Sequence, residues 1–126
     1  MLSILFASAN TDNLAEFTDF FRQSDKFAII EASSAKNALR ILGEKTLSAV
    51  IIDQELTDGS GLSLAQQLAK RFPLLNCALV SPLSPDDFHE ATEGLGLFMQ
   101  IPPTAGKPEA EKMVEILTSI DRLLLS

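Results

Sequence analysis

The sequence alternates short apolar runs with longer amphipathic segments, five times from end to end. Continuous apolar runs are typical of strands that are covered on both faces, whereas apolar residues three and four apart are typical of helices. Strands that alternate with helices predict a parallel sheet with right-handed crossovers. Five such units are too few for a closed eight-stranded barrel. The pattern therefore favours an α/β fold of the flavodoxin-like type, an open three-layer sandwich with strand order 2-1-3-4-5.

The apolar runs predict the strands Leu2–Ala7, Phe27–Ile30, Ala49–Ile52, Leu75–Val80 and Leu97–Ile101. Helical spacing predicts a first helix on Leu14, Phe17 and Phe21, a second on Ala35, Ala38, Leu39 and Leu42, a third on Leu62–Phe72, a fourth over Pro85–Glu93 and a last over Pro108–Leu125. Asp12 is expected to cap the first helix, and Gly43 and Gly94 are expected to end the second and fourth.

The composition limits which binding partners and which cellular compartment are expected for this chain. The 126 residues, 46% hydrophobic and 21% charged, are typical of one globular domain, so we expect a single domain over residues 1–126 with no effector domain. The net charge of −7 and the scattered basic residues argue against binding to nucleic acid. No basic leader and no apolar stretch of membrane-spanning length is visible, so we expect a cytoplasmic protein without membrane contact.

Two single residues could suggest chemistry, but simpler interpretations fit them better. Cys77 is the sole cysteine and lies in an apolar run without basic neighbours, which predicts a buried, unreactive thiol. His89 is the sole histidine, and an exposed helical position explains it better than a metal ligand, because no cysteine or second histidine accompanies it.

The most informative candidate is Asp53, which directly follows the most apolar predicted strand. Open α/β sheets bind their ligands beyond the carboxyl ends of the strands, near the switch point between strands one and three. The loops expected at that edge are 8–13, 53–61, 81–85 and 101–106. Asp53 therefore stands at the predicted ligand edge, with Gly61 eight residues further on at the start of a helix.

This arrangement resembles the receiver domain of bacterial response regulators, the CheY-like family. The resemblance covers essentially the whole chain and rests on Val50–Leu62, on Leu79-Val80-Ser81 and on Gly94–Pro102. It implies that Asp53 stands at the phospho-acceptor position and that Ser81 is the hydroxyl residue after strand four. It places Phe98 at the switch aromatic and implies a cis peptide bond before Pro102.

The same resemblance exposes departures from the family's chemistry. The acidic pair that helps to hold Mg²⁺ falls on Ser8 and Ala9, and the lysine that binds phosphoryl oxygens falls on Ile101. Pro82 follows Ser81 and has no N–H to donate, and Thr57 stands in place of a proline. Phosphoryl transfer depends on positioning and on cationic stabilisation of spread negative charge. Losing these groups together predicts a degenerate receiver, or pseudo-receiver, with weak or absent phosphorylation and no enzymatic activity.

Alternatives stay open around Asp53. It is either a structural carboxylate that accepts a loop amide, or a residual ligand or switch. A working phospho-acceptor would need a rebuilt Mg²⁺ site, for which Asn10, Asp12 and Glu55 are the nearby oxygen donors and Asp53 and Glu55 the weak metal candidates. Otherwise no cofactor is expected. A flavodoxin-like cofactor-binding enzyme is a further alternative, which the absence of Trp and Tyr and the lack of a glycine in loop 8–13 disfavour.

The expected partners are proteins: a histidine kinase, a phosphotransfer protein, an effector, or a second copy of the chain. The resemblance places the signalling face on strands four and five and the last helix, including Phe98 and Gln100. Four apolar residues lie outside the predicted core stripes of their helices and are candidates for such surfaces: Ile41, Leu64, Val114 and Leu125.

Overall fold

A computed structural model describes residues 2–10 and 12–125, with side-chain surroundings for 2–10 and 12–120. In chain order the elements are β1 (Leu2–Ala7), α1 (Ala15–Arg22), β2 (Phe27–Ala32), α2 (Ala35–Glu44), β3 (Ala49–Ile52), β4 (Glu55–Leu56), β5 (Gly59–Ser60), α3 (Gly61–Arg71), β6 (Asn76–Val80), α4 (Pro85–Ala91), β7 (Met99–Ile101) and α5 (Lys107–Leu125). Among these helices, none has both the length and the apolar character needed to cross a membrane.

The main sheet has five parallel strands in the order β2-β1-β3-β6-β7. This is the predicted order of the five long strands, so the flavodoxin-like fold is confirmed. The sequence pattern did not indicate β4 and β5, which form a small antiparallel hairpin between β3 and α3. Because the strands are parallel, Ala7, Ile52, Val80 and Ile101 all end at one edge of the sheet.

The core has two layers because successive side chains of a strand point to opposite faces. Helices α2 and α3 cover one face, where Val50, Ile52 and Leu79 pack with Leu64 and Leu68. Helices α1 and α5 cover the other, where the packed residues are Ile4, Phe6, Phe17, Phe21, Ile51, Met113 and Leu117. Every residue of β3 is buried, as expected for the central strand.

Several predicted helix boundaries are wrong. Asp12 does not cap α1: the N-cap is Leu14, in the left-handed conformation with φ 61°, and no side chain bonds to the helix end. Gly43 does not end α2, because the helix continues through Glu44 and the N–H of Lys45 still donates to the Ile41 carbonyl. Helix α4 ends at Ala91, two residues before its predicted end, and β7 begins at Met99, two residues after its predicted start.

Two residues that were candidates for an interaction surface belong to the core instead. Ile41 and Leu64 are 8% and 0% exposed and pack in the α2–α3 layer. The buried stripes of α2 and α3 are thus rotated about the helix axes from the predicted ones. Val114 is half-buried against the α1–α5 layer, and the side chain of Leu125 lies outside the described residues.

Candidate functional site

Asp53 lies at the carboxyl edge of the sheet because β1 and β3 are neighbours that end together. The pairing of Ala7 with Ile52 brings Ser8 beside Asp53, and the Asp53 N–H donates to the Ala7 carbonyl at 2.8 Å. Both side chains are buried, Ser8 completely and Asp53 to all but 5% of its surface. The sheet therefore holds a carboxylate and a hydroxyl side by side.

Among the described residues, three donors bind the Asp53 carboxylate. Ser8 Oγ lies 2.6 Å from Oδ2 and 2.8 Å from the Asn10 carbonyl, and its single hydrogen favours the nearer, charged acceptor. Asn13 Nδ2 reaches the same Oδ2 at 3.4 Å. The Gln54 N–H donates to Oδ1 at 2.7 Å. Hydrogen bonds to an ionised acceptor are among the stronger ones in proteins. The negative charge of Asp53 is thus stabilised from within the chain.

The donor set around Asp53 does not fit the Mg²⁺ site that the resemblance implies. A cavity of about 240 Å³ opens beside the carboxylate and is lined by Ala9, Asn10, Asn13, Asp53, Gln54 and Glu55. Mg²⁺ is held by oxygen ligands in octahedral geometry, usually including carboxylates. Within the part of the chain that the structure describes, no three His, Cys, Asp or Glu residues are grouped as a metal site would need. Of the weak candidates, Glu55 is exposed at the rim of this cavity, whereas Asp12 is not among its lining residues.

Ser81 is not brought into the cavity of Asp53. Its hydroxyl accepts from the Leu83 N–H at 3.2 Å, and its own N–H donates to the Ile101 carbonyl at 2.9 Å. Ser81 lines a separate, mostly apolar cavity of about 210 Å³, which shares only Gln54 with the first. Its hydroxyl is therefore engaged within its own loop.

The loop after β6 is also bonded to the neighbouring strand. Gln100 Nε2 donates to the carbonyls of Ser81 at 3.2 Å and Leu83 at 2.8 Å. Sequence reasoning named Gln100 only as part of a surface. Strand adjacency could have suggested a contact, but the pairing of a side-chain amide with two loop carbonyls has no sequence signal.

The end of β7 carries a hydrophobic side chain where the resemblance implies a lysine. Ile101 is completely buried in the α1–α5 layer, so no cationic group stands at this position. The peptide bond before Pro102 is trans, which corrects the expected cis bond. Trans is the favoured form even before proline. Phe98 is half-buried against the same layer, and its N–H donates to the Cys77 carbonyl at 3.0 Å.

Gly61 has a steric role that its spacing alone did not reveal. Helix α3 begins so close to Asp53 that a Cβ at position 61 would lie 1.9 Å from the Asp53 carbonyl oxygen. The Gly61 N–H also donates to the Gln54 carbonyl at 2.9 Å. A glycine is therefore required where the chain returns past the candidate site.

The hairpin of β4 and β5 fixes the loop that follows Asp53. The Ala9 N–H donates to the Glu55 carbonyl at 2.8 Å, and Asp58 accepts from the N–H groups of Ala35 at 2.7 Å and Lys36 at 3.1 Å. The bond from Ala35, followed by that from Lys36, lowers the pKa of Asp58 below its ordinary value. These contacts join the loop to its two neighbours at the same edge.

The structure is similar to those of known receiver domains. A response-regulator receiver domain from Methanospirillum hungatei superposes with a TM-score of 0.81 over 97% of this chain and 98% of that one, at 17% identity. A Francisella receiver domain gives a TM-score of 0.81 over 96% and 99%, at 19% identity. One from Clostridium thermocellum gives 0.77 over 99% and 98%, at 20% identity. The chain has the fold of response-regulator receiver domains.

No protein-family model and no curated protein matches the sequence. At the identities found among solved structures, the likeness shows the fold alone, because one fold hosts many functions. The function must therefore be argued from the side chains at the site.

Proposed function

We propose that this chain is a receiver-like signalling domain that acts in a two-component or phosphorelay network through protein contacts, with little or no phosphorylation of Asp53. The observation that carries the proposal is the 2.6 Å hydrogen bond from Ser8 to Asp53. At the position of a metal-binding carboxylate stands a hydroxyl that donates to the acceptor itself. A carboxylate whose charge is stabilised by such donors has less need of a cation.

Ile101 and Pro82 support the proposal independently of Ser8. Phosphoryl transfer is catalysed mainly by positioned charges, and removing one such contact commonly raises the barrier by about 3 kcal/mol. Ile101 is an apolar residue at the lysine position, and Pro82 cannot supply a backbone donor. The losses fall on three separate contacts of one mechanism, so we expect no catalytic use of Asp53 and no enzymatic activity.

Protein partners follow from the same proposal. A domain that does not switch by phosphorylation must signal by what it binds, whether a histidine kinase, a phosphotransfer protein, an effector or a second copy of itself. The candidate face is formed by β6, β7 and α5 with the half-buried Phe98. Its use by a partner or a homodimer, in the cytoplasm, is part of the proposal.

The test is an amide-resolved NMR titration of the full chain, first with millimolar Mg²⁺ and then with beryllofluoride as a phosphoryl mimic. We expect the amides of Asp53, Gln54, Glu55 and Ser81 to keep their chemical shifts in both titrations. Saturable shifts at these amides that extend to Phe98 would show a working switch and contradict the proposal.

The matched control is the double variant Ser8→Asp, Ala9→Asp, which returns two carboxylates to the positions of the acidic pair. We expect Mg²⁺ to shift the amides around Asp53 in this variant and to raise its melting temperature, because the cation relieves repulsion between the carboxylates. The variant shows that the titration can detect Mg²⁺ at this edge when ligands are present.

One observation favours a second candidate function, a phospho-acceptor with a rebuilt metal site. The cavity beside Asp53 gathers further oxygen donors from Asn10, Asn13 and Glu55. Rotation of the Glu55 side chain into this cavity would add a second carboxylate ligand to that of Asp53 in a metal site. In that case Glu55→Gln would abolish the Mg²⁺-dependent shifts of the unaltered chain, whereas under the first proposal there are none to abolish.

A further inference from the structure

A fully exposed leucine lies at the end of the sheet opposite Asp53. Leu74 is 95% exposed and sits in the turn between α3 and β6, which is closed by a hydrogen bond from the Leu75 N–H to the Phe72 carbonyl at 3.0 Å. Polar residues and glycine dominate such turns because they satisfy or relax the local backbone. Neither the turn nor the core requires a leucine at this position.

Leu74 forms part of an apolar groove between the ends of α2 and α3, which we call the basal groove. Its volume is about 480 Å³ and its lining residues are Leu42, Lys45, Thr46, Leu47, Phe72, Pro73, Leu74 and Leu75. A smaller cavity of about 180 Å³ continues from it, sharing Leu47, Leu74 and Leu75. A single exposed leucine is ordinary on a protein surface, but one that borders a groove of apolar side chains is suited to contact a partner.

The basal groove is basic on a molecule that is acidic as a whole. Among the described residues of its lining Lys45 is the one that carries a charge, and the guanidinium of Arg71 lies 5.8 Å from the ring centre of Phe72. Neither cation takes part in an ion pair with the residues that the structure describes. The neighbouring Glu44 is bonded to Arg40 at 3.4 Å. The rest of the chain brings the net charge to −7.

We propose that the basal groove binds an acidic amphipathic segment of a partner protein, with Leu, Ile or Phe in the groove and Asp or Glu beside Lys45 and Arg71. The apolar lining supplies the burial, and the two cations supply complementary charge. This interaction goes beyond the proposed function. It uses the end of the sheet opposite Asp53, so it holds whether or not Asp53 is phosphorylated.

Two other occupants fit the observations less well. A second copy in a symmetric dimer would set the same patch against itself, which brings Lys45 and Arg71 of both copies together and pairs two chains of net charge −7. An anionic membrane would attract the two cations but repel the acidic remainder of the chain. A concave groove also suits inserted side chains better than a lipid surface.

The experiment measures binding of the full chain to designed helical peptides by fluorescence anisotropy. The probe carries Leu at i, i+3, i+4 and i+7 and Glu or Asp at its other positions. Its comparison peptides have Lys in place of every acid, or the same residues scrambled. We expect the acidic peptide to bind at least about tenfold more tightly than either comparison peptide, and to shift the amides of Lys45, Leu47, Phe72 and Leu74.

Matched variants separate the groove from the rest of the surface. Leu74→Asn is expected to weaken binding about tenfold or more, because an exposed leucine is buried on binding. Leu83→Asn, which alters a leucine that is 43% exposed beyond the opposite end of β6, should leave binding unchanged. Lys45→Gln should weaken binding about threefold and reduce its salt dependence.

Asp53→Asn distinguishes this inference from the proposed function, since peptide affinity should not change in that variant. All variants are checked for unchanged melting temperature, which is expected for Leu74→Asn because its side chain is exposed. Equal binding of the acidic and basic peptides, shifts confined to other surfaces, self-association that Leu74→Asn abolishes, or preferential binding to anionic lipid vesicles would each overturn the inference.

Discussion

The shortest side-chain hydrogen bond to Asp53 comes from Ser8, at 2.6 Å, and both residues are buried. At the scale of single residues this pair has a definite chemical meaning. A carboxylate at position 8 would add negative charge beside Asp53 and create a place for a cation. A hydroxyl adds no charge and instead donates a hydrogen bond to Oδ2. The hydrogen bond to this Oδ2 lone pair competes with any metal or phosphoryl group for the same oxygen.

Replacing Ser8 tests how much Asp53 depends on this donor. In Ser8→Ala the contact that Oδ2 keeps from the described residues is the long one from Asn13, at 3.4 Å. We expect the free energy of unfolding to fall by about 2 kcal/mol, the usual value for a hydrogen bond to a charged group. Urea unfolding measures the change. Ser63→Ala, on the exposed side of α3, is the control and should have almost no effect. Equal stability of the two variants would mean that Ser8 does not support Asp53.

Gly61 is the second decisive single residue, because an added methyl group would collide with the Asp53 carbonyl oxygen at 1.9 Å. We expect Gly61→Ala to lower the free energy of unfolding by about 3 kcal/mol, since the obstacle is backbone and cannot move aside. Gly43→Ala is the matched control: it lies inside α2, and a Cβ added there would have nothing within 4 Å. This control should be stabilising by about 0.5–1 kcal/mol. A neutral Gly61→Ala variant would disprove the close approach.

At the scale of elements, the loops at the carboxyl edge are held by bonds to each other. The hairpin after β3 is joined to α2 through Asp58, and Thr57 donates its N–H to the Ser33 carbonyl at 2.9 Å. A proline, which the family resemblance implies at position 57, could not make this bond. The loop after β6 is held by Gln100. Both loops thus have fixed partners that do not depend on a ligand.

Removing the Gln100 amide should release the loop after β6. In Gln100→Ala the carbonyls of Ser81 and Leu83 lose this donor, and we expect faster hydrogen exchange at the Leu83 amide, which donates to the Ser81 hydroxyl. The loss of two partly exposed hydrogen bonds should lower the free energy of unfolding by about 1 kcal/mol. Gln67→Ala, exposed on α3, serves as control. Unchanged exchange at Leu83 would show that Pro82 and the Ser81 hydroxyl hold the loop without Gln100.

At the scale of the whole molecule, hydrophobic patterning predicted the fold well because it determines which faces of the strands and helices are buried in each layer. Runs such as Ala49–Ile52 are buried throughout, and this property alone implies a sheet covered on both faces. The site was predictable only in part. The position of Asp53 follows from strand order, but the bonds from Asn13 and Gln54 depend on loop geometry that has no periodic signal. The predicted helix ends were wrong for a similar reason. Leu14, the N-cap of α1, adopts a left-handed backbone conformation that is uncommon for leucine, so no signal in the sequence indicated it.

The pKa of the Cys77 thiol depends on its burial in the folded sheet. It lies on β6 in the α2–α3 layer, and burial raises the pKa of its thiol to about 11 from an ordinary value of 9.0. The folded state therefore holds the proton more tightly than the unfolded state. The part of the folding stability that depends on a protonated Cys77 thiol is fully present below about pH 9 and is lost as the pH rises towards about 11. We expect the free energy of unfolding to fall more steeply over this range in the unaltered chain than in Cys77→Ala, which keeps the same lysines. Parallel pH profiles, measured by urea unfolding, would show that the thiol is not protected by the fold.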